Sequence, residues 1–269
     1  MDYDLVQDYD LENIKQKEFG LIDNSTDIKY RYTSELFASF ITGETYDQHG
    51  VIKLLKTDKT KLGRLFNHGI IPDYLIENYR GFYRLNSLTR KFLQFIRNPD
   101  KMKYTKEDLE EETLFEEVDV SKPLYVPSYN PDARWQLALP HKVADFSEVE
   151  KVRKYSELMT DSRLNEFYEL SFDFWDLIML HLHDPDPMQD LELGNYQRDY
   201  KRLDRKAQEI KRRIPEDWTV IFMSDHGRME GEEHNKNAFY SCNRELFGSK
   251  KPHITDFYDK IIGFTKDNY

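Results

Sequence analysis

The stretch WTVIFMSDHG, Trp218 to Gly227, is an apolar, β-rich run that stops at an Asp-His-Gly triplet. Such a run reads as a buried strand, and alternation along a strand would send Asp225 and His226 to opposite faces. Both side chains reach one point only from the loop just past the strand, where a carboxylate oxygen and an imidazole nitrogen suit a cation. His234 returns eight residues after His226, on a glycine-containing loop, as a third candidate ligand. Further upstream, DLIMLHLHDPDPMQD, Asp176 to Asp190, repeats the pattern: an apolar run ending in Asp184, Asp186 and Asp190 within a proline-stiffened loop. Asp186 and Asp190 are four apart, so a single helical turn puts both on one side. His181 and His183 precede that loop, share one face of the strand and read as structural. Between the two strands, NYQRDYKRLDRKAQEIKRRI is a charged helix with one apolar face. Strand, helix, strand is the unit of a parallel α/β sheet, whose ligands gather beyond the carboxyl ends of the strands.

The chain has 269 residues, 39% hydrophobic and 33% charged, with 18 Tyr and 17 Phe. That is enough for a sizeable core and too aromatic for a disordered polymer. Fifty acidic against 39 basic residues give a formal net charge of -11, which opposes bulk nucleic-acid binding because that needs a basic surface. The one cysteine, Cys242, excludes an internal disulfide and a multi-thiolate zinc site, and favours a reducing, cytoplasmic setting. The longest apolar run, LIMLHL from Leu177 to Leu182, falls far short of the roughly 20 residues of a membrane span, and the opening residues do not read as a secretory leader.

Asp10 to Phe19 reads as a short helix capped by Asp10 and stopped by Gly20, with LIDNS, Leu21 to Ser25, as a brief strand. SELFASFI, from Ser34, has the spacing of a buried helix that TGETYDQHG, Thr42 to Gly50, ends with a turn. Thr33 lies at the start of that helix, where backbone amides favour a bound phosphate and a hydroxyl is placed to attack it. An N-cap role for Thr33, or an exchange of roles with Ser34, remains open on spacing alone. Residues 51 to 170 look like an insertion or cap. Within them the acidic run KEDLEEETLFEEVD is a solvated helix face with Thr105 as cap, PLYVPSY (Pro123 to Tyr129) is a short strand, and 145 to 170 is helical. Tyr46, Phe239 and Tyr240 lie near the motifs and can stack on a base, although core packing explains most aromatics.

Thr33, then Thr42-Gly43 and His49-Gly50, resembles the nucleophile segment of the type I phosphodiesterases and nucleotide pyrophosphatases of the alkaline phosphatase superfamily. SDHG with a later His resembles that superfamily's metal motif. The resemblance covers roughly residues 4 to 50 and 171 to 262. It implies one α/β domain over 1–269, with an alkaline-phosphatase-like, mainly parallel sheet flanked by helices and a helical insertion at 51–170. It also implies that Thr33 is the covalent nucleophile and binds one metal with Asp225 and His226, while Asp186, Asp190 and His234 bind a second. The two divalent ions are expected to be Zn²⁺, with Mn²⁺ or Mg²⁺ as alternatives, since Asp190 stands where the family usually has His and enriches the site in oxygen. The implied substrate is a small-molecule phosphate ester, nucleotides included, hydrolysed through a phosphothreonine. A phosphomutase and a degenerate member without catalysis are the alternative readings. The sulfatase pattern, a Cys or Ser followed by Pro and Arg, has no match around Cys242. The family opens with a buried strand ending in a metal-binding Asp. Asp2 and Asp4 sit too late to match it, so an apolar run ending in Asp is expected upstream of Tyr3.

Overall fold

The computed structural model describes residues 1–52, 104–131, 149–190, 196–230 and 233–266. The elements are α1 (Tyr3–Asp8), β1 (Glu18–Leu21), α2 (Thr33–Thr42), α3 (Tyr46–His49), α4 (Leu114–Glu117), β2 (Ser121–Leu124), α5 (Val149–Tyr168), β3 (Leu177–Leu180), α6 (Asp186–Asp190), α7 (Gln197–Lys211), β4 (Ile221–Met223), β5 (Met229–Glu230), β6 (Glu233–His234), β7 (Phe239–Cys242) and α8 (Asp256–Lys266).

Local chemistry explains most of these boundaries. The Asp2 carboxylate caps α1 by accepting from the amides of Asp4 and Leu5. α2 is buried along nearly its whole length and ends at Gly43, whose left-handed backbone (φ 71°) closes the helix. On α7, Tyr200, Leu203, Ala207 and Ile210 recur at helical spacing as the buried stripe beneath a charged outer face. The expected helix from Asp10 to Phe19 does not form. Asp10 takes a left-handed turn (φ 53°), the helical turn falls earlier at α1, and Glu18 and Phe19 join β1 instead. There the Glu18 carboxylate accepts from the Tyr240 hydroxyl and from the amides of Leu246 and Phe247, which ties the strand in place.

β7 is fully buried because it is a central strand, antiparallel to β1 on one side and to β4 on the other. β2 and β3 form a parallel pair in register from Ser121↔Leu177 to Leu124↔Leu180, and β5 and β6 form an antiparallel hairpin. The strand-helix-strand succession β3-α7-β4 is present, but β3 and β4 do not pair with each other. The structure is thus α/β with one parallel strand pair among the described residues, which does not confirm the mainly parallel sheet that was expected.

Much of the supposed insertion, 53–103 and 132–148, lies outside the described residues. Where it is described, β2 pairs with β3, and Leu164 and Phe167 of α5 share a core cluster with Ile178 and Leu180. The acidic run folds as a 3-10 turn, Lys106–Asp108, capped by Thr105, and as α4, capped by Thr113. Among the described residues no helix is long and apolar enough to cross a membrane.

Candidate metal and phosphoester site

Past the end of β4, Ser224, Asp225 and His226 are buried in a loop held to β7: the Ser224 amide donates to the Phe239 carbonyl at 2.9 Å, and the Phe239 amide donates to Ser224 Oγ at 3.1 Å. Gly227 follows because nothing larger fits. A Cβ there would lie 1.8 Å from Asn235 Oδ1 and 2.6 Å from Asp2 Oδ2. Asp2 is buried beneath this loop, where its Oδ2 accepts from the Arg228 amide (3.1 Å) and from Asn235 Nδ2 (2.9 Å). Judged by chain position it sits too late for a site role, yet the structure places it against the Asp-His-Gly loop. Its only local signal is an Asp ahead of a helix.

Asp186, Asp225 and His226 each offer a ligand atom, and these atoms lie within 4.8 Å of one another. Asp186 reaches this point as the first residue of α6, and Asp225 and His226 reach it from the β4 loop, so the carboxyl ends of two separate strands converge here. Thr33 approaches from the start of α2, with its Oγ1 3.3 Å from His226 Nε2. The helix uses Tyr32 as its N-cap, with no side-chain capping bond, so Thr33 is not the cap. Ser34, the other hydroxyl considered, is fully buried. His234 stacks on His226 with ring centroids 3.6 Å apart, and its carbonyl accepts from Arg31 Nη1 at 3.0 Å. Asp190 closes α6, and its side chain lies outside what is described. The structure therefore brings together Thr33, Asp186, Asp225, His226 and His234, on three separate parts of the chain.

The charge balance is uneven. Burial raises Asp186, but the Met1 amino group, 3.7 Å away, and the imidazoles of His226, His183 and His234 outweigh it and hold this carboxyl below the ordinary range. Burial lowers His226, but Asp225 and Asp186 more than reverse that and raise it. His234 is pushed down to about 3, first by burial and then by His226 beside it. Opposed shifts packed into one loop cluster are typical of functional sites.

The donor set fits a divalent cation. His226 Nδ1 lies 3.0 Å from the Gly227 carbonyl, which only accepts, so Nδ1 carries the proton and Nε2 keeps its lone pair in the neutral ring. That lone pair faces Asp225 Oδ2 at 3.4 Å. Among the described residues Asp225 Oδ2 and Asn24 Oδ1 are buried acceptors with no hydrogen-bond donor. Two electron-rich atoms facing each other away from water call for positive charge between them, which a proton on Nε2 or a cation supplies. Asn24, whose Nδ2 donates to the Asp225 carbonyl at 2.7 Å, was invisible in the sequence because this contact spans some two hundred positions.

The His181 carbonyl accepts from buried Arg163 at 2.5 Å and its ring meets Phe37 edge-on at 4.9 Å, contacts that belong to the core. Phe239 and Tyr240 are core side chains, 1% and 2% exposed, and offer no surface for a base. Tyr46 lies under the Lys29 amine, 5.8 Å from the ring centroid.

No curated protein and no solved structure matches the chain. The profile of the family described as type I phosphodiesterase / nucleotide pyrophosphatase matches residues 32–246, a span that opens one residue before Thr33 and takes in the Asp186 and Asp225-His226 loops and His234. Family members are hydrolases of phosphate esters and nucleotides. With the match running over most of its length, and with Thr33 set against the Asp-His cluster, the chain belongs to the type I phosphodiesterase / nucleotide pyrophosphatase family of the alkaline phosphatase superfamily.

Proposed function

We propose that the chain is a metal-dependent phosphodiester and pyrophosphate hydrolase in which Thr33 is the nucleophile. The observation that carries this reading is the approach of Thr33 Oγ1 to His226 Nε2, 3.3 Å, at the convergence of Asp186, Asp225 and His226. Asp225, His226 and Thr33 would hold one divalent ion and Asp186, Asp190 and His234 a second, zinc being the first expectation; when bound, such ions neutralise phosphoryl charge and acidify a neighbouring hydroxyl. His226 orients the Thr33 hydroxyl, whose position on the first turn of α2 aims the helix dipole at the phosphate. Thr33 Oγ1 loses its proton to solvent and bonds to phosphorus as the bond from phosphorus to the leaving alcohol or phosphate breaks. Water then cleaves the phosphothreonine ester, restoring the hydroxyl and releasing the second product, so one water is consumed per turnover. The reaction takes place in one domain over 1–269, with 51–170 inserted in it, on a small phosphate ester or nucleotide. A cytoplasmic setting is the reading that goes with a single, buried cysteine, Cys242.

The test is metal analysis of the purified protein together with hydrolysis of p-nitrophenyl mono- and diesters. Bound divalent metal and a diester rate about tenfold or more above the monoester rate are expected. No hydrolysis of either ester by metal-loaded protein would sink the enzymatic reading.

A further inference from the structure

Glu35, the third residue of α2, is fully buried, and no step of the reaction described above uses it. A carboxylate taken out of water needs strong donors. At this position of a helix such a side chain ordinarily turns back to the amide of the N-cap residue. Glu35 reaches further: Oε1 accepts from the Lys29 amide at 2.6 Å and Oε2 from the Tyr30 amide at 2.9 Å, with the Arg31 amide bearing on the same group. These three amides lie outside α2, whose N-cap is Tyr32. Both oxygens therefore serve the loop ahead of the helix.

That loop is shaped to hold the site. Arg31 has a left-handed backbone (φ 53°), which a residue with a Cβ keeps only where its surroundings impose it. Successive amides drawn onto one anion impose such a conformation. From there Arg31 Nη1 donates to the His234 carbonyl at 3.0 Å, and earlier in the same loop Asn24 Nδ2 donates to the Asp225 carbonyl at 2.7 Å. The stretch between β1 and α2 thus grips the backbones of two candidate ligands. The contacts also close on themselves. Glu35 holds the amides of 29–31, Arg31 holds His234, the His234 ring stacks on His226 at 3.6 Å, and His226 Nε2 lies 3.3 Å from Oγ1 of Thr33, two residues ahead of Glu35.

We propose that Glu35 is the positioning residue of this site: from within the core its carboxylate fixes residues 29–31, and so sets Arg31 on His234 and Thr33 on His226 together. The inference rests on Thr33 being the nucleophile. Glu35 acts through Arg31 and Thr33 rather than on the phosphate, and it keeps the hydroxyl and the two imidazoles at one spacing. A Gln in its place turns an NH2 donor against the loop amides, so the loop opens, Arg31 leaves its left-handed form and His234 loses its hold.

The test measures zinc affinity by chelator competition, and kcat and KM for bis-p-nitrophenyl phosphate in saturating zinc, for Glu35→Gln, Arg31→Gln and the double variant. Each single change is expected to weaken zinc binding and lower kcat by about ten- to a hundredfold, with KM held within about threefold. The double variant should lie within about threefold of the weaker single one, because both changes open the same ring of contacts. Arg31→Lys should recover most of the loss, since an ammonium also donates to the His234 carbonyl. Unchanged zinc affinity and kcat in Glu35→Gln, with only the melting temperature lowered, would make Glu35 a residue of the fold alone and overturn the proposal. So would losses that multiply in the double variant. Should Glu35→Gln not fold, the half-buried Arg31 decides: a loss in Arg31→Gln that Arg31→Lys repairs upholds the proposal, and no loss overturns it. Zinc affinity is read without turnover, so the two readings fail apart. Zinc losses in a chain that hydrolyses no ester would sink the function alone, hydrolysis that none of these variants alters would sink the positioning role alone, and an unaltered chain that neither binds zinc nor hydrolyses the ester would sink both.

Discussion

Thr33 contributes an oxygen to the site and no cap to its helix, because Tyr32 occupies the N-cap position. Thr33→Ala should therefore cost chemistry alone: a fall in kcat of about a thousandfold or more, with stability held within about 0.5 kcal/mol by chemical denaturation. Ser34→Ala should keep activity, and a full loss there with retained activity in Thr33→Ala would move the nucleophile by one residue. Asp225→Asn and His226→Gln should each lower bound metal by mass spectrometry of the intact protein, whereas His181→Gln should lower stability and leave metal content unchanged. The candidate ligands Asp186, Asp225 and His226 were legible because they follow apolar runs that end in Asp and His. Asp2, Asn24 and Asn235 were not, since their roles come from contacts across roughly two hundred residues of chain, which no local spacing encodes.

The two glycine motifs around α2 and α3 serve the fold. Gly43 holds φ 71°, and a Cβ there would meet the Tyr258 ring and Cβ of α8 at 2.8 Å, so Gly43→Ala should destabilise by about 1–3 kcal/mol. A loss below about 0.3 kcal/mol would show that α8 gives way freely. His49 is buried with Nδ1 accepting from the Val51 amide at 3.1 Å and Nε2 donating to Ser39 Oγ at 3.0 Å, and burial pushes it from 6.5 down to about 4. Unfolded chains take up this proton near pH 6.5 and the folded protein only near 4, so the contribution is intact above pH 6.5 and fades as pH falls toward 4. It amounts to up to about 3 kcal/mol. Urea melts between pH 7 and 4 should show this loss, and in His49→Gln the slope should flatten; an unchanged slope would put the acid sensitivity elsewhere. Helices α2, α5 and α7 were legible from their 3.6-residue stripes. The helix expected at Asp10 was not realised, because the left-handed turn at Asp10 and the pairing of Glu18 and Phe19 with β7 outweigh local propensity.

At the scale of the molecule, strand partners rather than strand positions escaped the sequence: β4 was legible as an apolar run, but its antiparallel pairing to β7 depends on where residues 239–242 return. Carboxylates, imidazoles and a hydroxyl from three parts of the chain meet only in the folded state, so metal should stabilise the whole fold. Thermal melts with zinc at about a hundredfold over its Kd should rise by several degrees over the chelated protein, and no shift would argue that the cluster binds none. The most direct measurement of the central claim is acid quenching during turnover of a phosphodiester, followed by digestion and mass spectrometry of the fragment that begins at Tyr32. A phosphoryl ester on Thr33 that forms and decays at the steady-state rate is the predicted result. Turnover with that fragment unmodified throughout, or with the ester on another residue, would contradict it.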